Sequence, residues 1–143
     1  MACELCDGDG GLVLWRDDRL RIVRVDDSDY RAFCRVVWQD HVRELTDLDS
    51  EDAEYSFKAV LAVERALREL INPLKINVAS LGNQTPHLHW HVIPRFAGDR
   101  HFPRPVWAEP MRPAPENIQT VGVSDEALKN KLAELLGSTL RDV

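Results

Sequence analysis

The chain has 143 residues and a mass of 16.3 kDa, which suits one domain that buries its own core without disulfide staples. Its formal net charge of −6 and pI near 5.3 exclude a nucleic-acid-coating protein, whose affinity comes from clustered Lys and Arg, while a local site for a small anion stays open. No apolar run approaches the roughly 20 residues of a membrane span, and Met1 to Asp7 lacks a basic-then-apolar leader pattern, so a cytoplasmic protein without membrane contact is expected.

Cys3 and Cys6 form a Cys-x-x-Cys pair, and Cys34 makes the cysteine count odd. Such a set does not build a disulfide framework, and metal binding or reduced thiols suit it better. Gly8, Gly10 and Gly11 mark a turn before a short strand, Leu12 to Trp15, and the polar turn 16–19 leads into a second strand, Leu20 to Val25. After the acidic turn 26–29, Phe33 to Trp38 reads as a buried strand, and a helical turn is expected through Val42 to Leu45.

The acidic run 47–52 has the character of a helix start, where carboxylates meet free backbone N–H groups. A helix from Ser50 to Leu70 is predicted, with Ala53, Phe57, Val60, Leu61, Leu67 and Ile71 approximating its apolar face and Asn72-Pro73 ending it. Leu74 to Ser80 is the next strand, 81–86 a loop, and His87 to Ile93 the last strand. Five prolines make 96–118 a loop expected to lie over the domain, and Ser124 caps a final helix from about Asp125 to Leu136 that stops at Gly137. The expected fold class is α+β, an antiparallel sheet of about five strands with the long helix packed on it. Residues 1–118 would form the main domain, with the proline-rich stretch from about 96 to 118 as its extension, and 119–143 a helical segment packed on the same domain.

The informative stretch is His87-Leu88-His89-Trp90-His91-Val92-Ile93. Strand alternation sends the three histidines to one face, read as exposed, and Leu88, Trp90 and Val92 to the core. Neighbouring histidines then stand about 6.6 Å apart along the strand and the outer pair about 13 Å, too far for all three to chelate one ion. A neutral imidazole can attack phosphorus provided its other ring nitrogen donates to an acceptor that fixes the tautomer, and a neighbouring backbone carbonyl can serve. Three of the five histidines fall in this stretch, which favours such chemistry over surface decoration. Trp90 and Trp107 are read as packing residues, Cys34 as core and His101 as a surface loop residue.

This stretch resembles the His-φ-His-φ-His-φ-φ signature (φ, apolar) of the histidine triad (HIT) superfamily of nucleotidyl hydrolases and transferases. The resemblance runs over residues 3–96, through Asn77, Gly82 to Pro86, and His41 with Leu45 to Leu48. It implies that His89 is the nucleophile forming a nucleotidyl-histidine, that His91 contacts the phosphate, and that Asn83, where many members have Gln, contacts the phosphate or leaving group. Gln84 stands where many members carry Ser or Thr, with the Thr85 hydroxyl next to it. Asp26 or Asp27 falls where the family often places a ribose ligand, and Arg95 is a further candidate anion contact.

Cys3, Cys6, His41 and His87 together supply two thiolates and two imidazoles, the donor set favoured by structural zinc. The arrangement is similar to that of some HIT proteins and of galactose-1-phosphate uridylyltransferases. With His87 held in a closed Zn2+ site, the ion would be architectural. The resemblance further implies a homodimer and a nucleotide or nucleotide-conjugate substrate. The competing readings are a zinc-dependent hydrolase with catalytic metal on the histidine row, and a nucleotide-binding protein without catalysis.

Overall fold

Five strands, β1 (Leu12–Arg16), β2 (Leu20–Arg24), β3 (Cys34–Trp38), β4 (Lys75–Ala79) and β5 (His89–Arg95), pair antiparallel throughout in the order β1-β2-β3-β5-β4. Helix α1 (Glu4–Asp7) precedes them, α2 (Ser50–Ile71) joins β3 to β4, and α3 (Asp125–Leu132) follows. This is the α+β architecture that the sequence predicts. The computed structural model describes residues 3–115 and 122–137; the end of the proline-rich segment and residues 138–143 lie outside the described residues.

Strand alternation sorts the sheet into two faces. Leu20 and Ile22 of β2, Cys34, Val36 and Trp38 of β3, and Val92 of β5 meet α2 and α3 in the main core. Val23 and Val37 point the other way, onto Leu5 of α1, while Ile93 packs with Tyr30 and Phe33. The histidines belong to this second face. Gly11 makes the entry to β1 tight, since a Cβ there would stand 2.4 Å from the Arg24 carbonyl oxygen.

Helix α2 starts at Asp49, whose carboxylate accepts from the Asp52 N–H at 2.8 Å, and ends at Asn72, in the left-handed conformation just before Pro73. Its buried face runs through Tyr55, Ser56, Ala59, Val60, Val63, Ala66 and Leu67. The predicted face is therefore rotated. Phe57 and Leu61 are 47% and 49% exposed, forming a second apolar stripe beside the buried one, with Phe57 edge-on to Trp90. The predicted turn at Val42–Leu45 is a 3-10 turn at Leu45–Asp47. The helix α3 is capped by Ser124, continues as a wider turn over Ala133–Gly137, and buries Leu128, Leu132 and Leu136 in the main core. Arg24 of β2 ties its first residue down through a two-pronged pair with Asp125.

The last strand is shifted from its predicted span. It begins at His89 and continues through Pro94 to Arg95. Pro94 is tolerated because β3 pairs with β5 only as far as Val92, so residues 93–95 have a ladder partner on the β4 side alone.

Arg95 and His101 correct two further expectations. Arg95 is 2% exposed and grips Asp99 through Nε and Nη2 at 2.8 and 3.0 Å, while Nη1 and Nη2 also donate to Asn77 Oδ1 and the Arg104 carbonyl. Four of its five N–H donors are thus taken up by the protein, and it does not line the cavity beside His89 and His91. His101 is buried, its Nδ1 2.6 Å from the Tyr30 hydroxyl. Asp99 also accepts from the N–H groups of Phe96, His101 and Phe102, so this charged pair organises the start of the proline-rich segment.

Burial alone would raise the Asp99 pKa, but the Arg95 hydrogen bonds and the backbone donors hold it below the ordinary carboxylate value. Its contribution to stability is present above that ordinary value and is lost as pH falls through the lower folded-state value. Asp99→Asn, which leaves a buried guanidinium without its counter-charge, should cost about 3–5 kcal/mol in denaturant titrations at neutral pH. The variant should also lose less stability than wild type on acidification below about pH 4. Unchanged stability at neutral pH would show that the pair does not hold this region.

Candidate active site and metal centre

Short-range order around α1 brings Cys3 and Cys6 to one point. Cys3 caps the helix, its Sγ accepting from the Cys6 N–H at 3.3 Å. Arg21 of β2 then fixes the segment from beneath: its guanidinium donates to the carbonyls of Leu5, Gly8 and Asp9 at 2.6, 2.9 and 2.8 Å. His41 and His87 arrive from the segments that follow β3 and precede β5.

The four donor atoms lie within 4.8 Å of one another. His87 Nδ1 is 3.4 Å from each sulfur and 3.2 Å from His41 Nδ1, which is itself 3.4 Å from Cys6 Sγ. Tetrahedral ligands at ordinary zinc bond lengths would stand about 3.3–3.8 Å apart, the sulfur pair being the widest. His87 Nε2 donates to the Trp38 carbonyl at 2.6 Å, which leaves the Nδ1 lone pair facing the other three donors. The sequence-predicted metal residues therefore converge with the right donors, and the distances linking His87 to the other three and His41 to Cys6 suit a tetrahedral site.

The histidine row is buried, contrary to the exposed face that strand alternation alone predicts. His87, His89 and His91 are 1%, 6% and 5% exposed. Residues of the N-terminal segment and the proline-rich segment cover that side of the sheet. His89 Nδ1 stands 2.5 Å from the His87 carbonyl oxygen. Because a carbonyl only accepts, the proton sits on Nδ1, and Nε2 carries a lone pair. His91 stacks edge-on against His89, Phe33 and Trp107 at centroid distances of 4.9, 5.6 and 5.2 Å.

Burial lowers the pKa of all three imidazoles. For His91, the positive charge of Arg35 and the neighbouring His89 add to burial and bring the value to about 4. For His89, the His87 carbonyl opposes the shift and Arg35 reinforces it.

His89 and His91 open onto a cavity of about 290 Å³, close to the lower size limit of small-molecule sites. Asn83, Gln84 and Thr85 form one wall of it. Their loop turns at Gly82, which has a left-handed φ of 78°, and closes with a 2.8 Å bond from the His87 N–H to the Thr85 carbonyl. Asp26 is not among the lining residues and lies exposed on the turn after β2, whereas Asp27 accepts from the Asp29 and Tyr30 N–H groups to shape that turn.

Two lining residues were not marked as functional by the sequence. Arg35 stands on β3 directly opposite His91. A lone charge alternating with apolar residues on a buried strand is the signal that could have found it. Trp107, read as packing, is 51% exposed and lines the cavity edge. Its position depends on how the proline-rich segment crosses the sheet, which strand and helix periodicity do not encode.

A five-stranded antiparallel sheet that aligns buried histidines beside an amide-rich loop defines the class. The chain belongs to the HIT domain family, whose model matches residues 11–98. Among solved structures it is similar to a histidine triad protein from Bradyrhizobium japonicum, with 28% identity, 87% of this chain and 92% of that chain covered, and a TM-score of 0.71. A histidine triad protein from Marinobacter aquaeolei shares 26% identity over 96% of each chain, again with a TM-score of 0.71. The fold also matches a Zn-bound histidine triad family protein from Mycobacterium smegmatis, at 23% identity, 96% and 98% coverage and a TM-score of 0.66. Among curated proteins no significant match is found. Among the described residues, no helix is long and apolar enough to cross a membrane.

Proposed function

We propose that the protein is a cytoplasmic HIT-type nucleotide hydrolase or nucleotidyl transferase acting at the α-phosphate of a dinucleoside polyphosphate or nucleoside phosphoramidate. The observation that carries this reading is the bond from His89 Nδ1–H to the His87 carbonyl, which leaves a neutral Nε2 lone pair beside a cavity walled by amides and a hydroxyl. In the first step Nε2 attacks the α-phosphorus; an N–P bond forms, the bond to the leaving group breaks, and the leaving group departs with the electron pair and takes up a proton from water. In the second, water or another acceptor attacks the nucleotidyl-histidine, the P–N bond breaks and His89 is restored. His91 and Asn83 contact the phosphate oxygens as charge develops on them, with Gln84 and Thr85 beside them. Asp26 is the ribose contact of this reading and reaches the nucleoside from outside the cavity. The working unit is residues 1–118, with the C-terminal helical segment packed on it.

The Cys3, Cys6, His41 and His87 set would hold Zn2+. Four protein donors close a tetrahedron, so the ion supplies cross-linking of the N-terminus to the entry of β5 rather than an open coordination position. This favours covalent catalysis over a zinc-dependent hydrolase, because His89 and His91 lie outside the donor set. A homodimer is part of the same reading. The exposed Phe57 and Leu61 on α2 and Val78 on the β4 edge strand supply an apolar surface for it.

His89→Ala should reduce hydrolysis of adenosine phosphoramidate and diadenosine polyphosphates by roughly a thousandfold or more while the circular dichroism spectrum is kept. Wild type incubated with a labelled AMP donor should carry an acid-labile adduct on His89. Turnover retained in the variant overturns the covalent mechanism; tight nucleotide binding with neither turnover nor adduct establishes the non-catalytic reading instead.

Elemental analysis should find about one zinc per chain. Cys6→Ser should lose the metal and melt at lower temperature, yet its folded fraction should retain turnover at permissive temperature. A folded, metal-free variant without turnover would assign the chemistry to the metal.

In analytical ultracentrifugation wild type should sediment as two chains, and the Phe57→Glu, Leu61→Glu double variant as one. A monomeric wild type rejects the dimer.

A further inference from the structure

Arg35 is the sheet arginine that the protein leaves unsatisfied. Arg16, Arg24 and Arg95 each pair with a carboxylate, and Arg21 donates to three carbonyls. Among the described residues, by contrast, no carboxylate lies within ion-pairing distance of Arg35. Its Nε is buried without a hydrogen-bond partner, and its Nη1 reaches only the Gly10 carbonyl, at 3.4 Å.

The position follows from the strand. Cys34 and Val36 turn into the core under α2, so Arg35 projects to the opposite face. There it stands across the ladder from His91 and lines the same cavity as His89 and Asn83. With the imidazoles neutral, its guanidinium is the one formal charge on the cavity wall among the described residues. Arg35 is half-buried, and a partly desolvated cation with a buried, unpartnered Nε–H and no paired carboxylate carries an energetic penalty. An anion entering the cavity supplies both the missing charge and the missing acceptors, and the guanidinium fork matches the oxygens of a phosphate.

We infer that Arg35 is a substrate-binding residue whose guanidinium contacts the phosphate oxygens of the bound nucleotide, so that the site selects nucleoside phosphates over uncharged nucleosides. The inference rests on the nucleotide reading of the cavity, but it concerns binding and is separable from catalysis.

The test is calorimetric binding of AMP and of adenosine to full-length wild type, Arg35→Gln and Arg35→Lys, with melting temperature and metal content measured on each. Wild type should bind AMP more tightly than adenosine, with an affinity that falls as salt rises. Arg35→Gln should lose about 10–100-fold in AMP affinity, and most of the salt dependence, with adenosine affinity unchanged. Arg35→Lys keeps the charge without the fork and should fall between the two, which preserves the test if the glutamine variant does not fold.

AMP affinity unchanged in both variants, an equal loss for adenosine, or a wild type that binds AMP no better than adenosine each overturns the inference. Wild type that binds AMP through Arg35 yet turns over no nucleotide rejects the enzymatic reading and leaves this one standing. Turnover with Arg35-independent AMP binding does the reverse.

Discussion

The arrangement of the site depends on one hydrogen bond, from His89 Nδ1–H to the carbonyl of His87. It decides which nitrogen of His89 carries the proton, and so which one has a lone pair to offer. A bond of this kind is only as well placed as its acceptor. His87 is held from two sides: its Nε2 donates to Trp38 on the neighbouring strand, and its Nδ1 faces Cys3, Cys6 and His41. The same residue thus links the metal-type cluster through its side chain to the candidate nucleophile through its backbone. That link explains why the ladder of β5 starts only at His89, since the two preceding residues are committed to the cluster and to contacts with Trp38 and Val42.

The N-terminal segment and the segment that follows β5 converge on the histidine face by different means. At the N-terminus, Arg21 gathers three carbonyls around α1, so a buried cation adds to the limited apolar packing that Leu5 gives so short a helix. On the C-terminal side, Arg95 and Asp99 do the equivalent with a buried charge pair that also satisfies three backbone donors. Such pairs add little net stability compared with apolar residues of the same size, but removing one partner is costly. Their effect here is to specify where an irregular segment sits. Trp107 is the result: a residue far from β5 in sequence that packs edge-on to His91 and forms the rim of the cavity.

The elements were legible where a short period dominates. Strands with alternating residues, a capped helix ending in Asn-Pro, and the His-x-His-x-His spacing all encode their geometry within a few neighbours, and so does the Cys-x-x-Cys pair once it is read with two distant histidines. What was not legible depends on coverage by other segments. Phe57 and Leu61 satisfy helical periodicity as well as Tyr55 and Val63 do, and only the tilt of α2 on the sheet decides which stripe is buried. Likewise, alternation alone makes the row exposed, because it distinguishes two faces without saying that both are covered. In sequence Arg95 is a candidate anion contact and His101 a surface loop residue; both become buried through Asp99 and Tyr30, which are distant or unremarkable in the linear pattern.

The overall acidity of the chain and the proposed site for phosphate are reconciled by a division of labour between adjacent strands. An imidazole acts as a nucleophile only when neutral, and burial at His89 and His91 favours that form. Neutral imidazoles, however, bring no charge to an anionic ligand. The nearest remedy, protonating one of them, would remove its lone pair. A guanidinium avoids the conflict because it stays charged across the whole physiological range and its field disfavours protonation of the two histidines beside it. Placing that group on β3, one ladder position across from His91, lets a single cavity hold a neutral base and a fixed cation at once. Net charge is then the wrong quantity for judging affinity: a chain at −6 can bind a phosphate, provided one of its cations is left unpaired where the ligand enters.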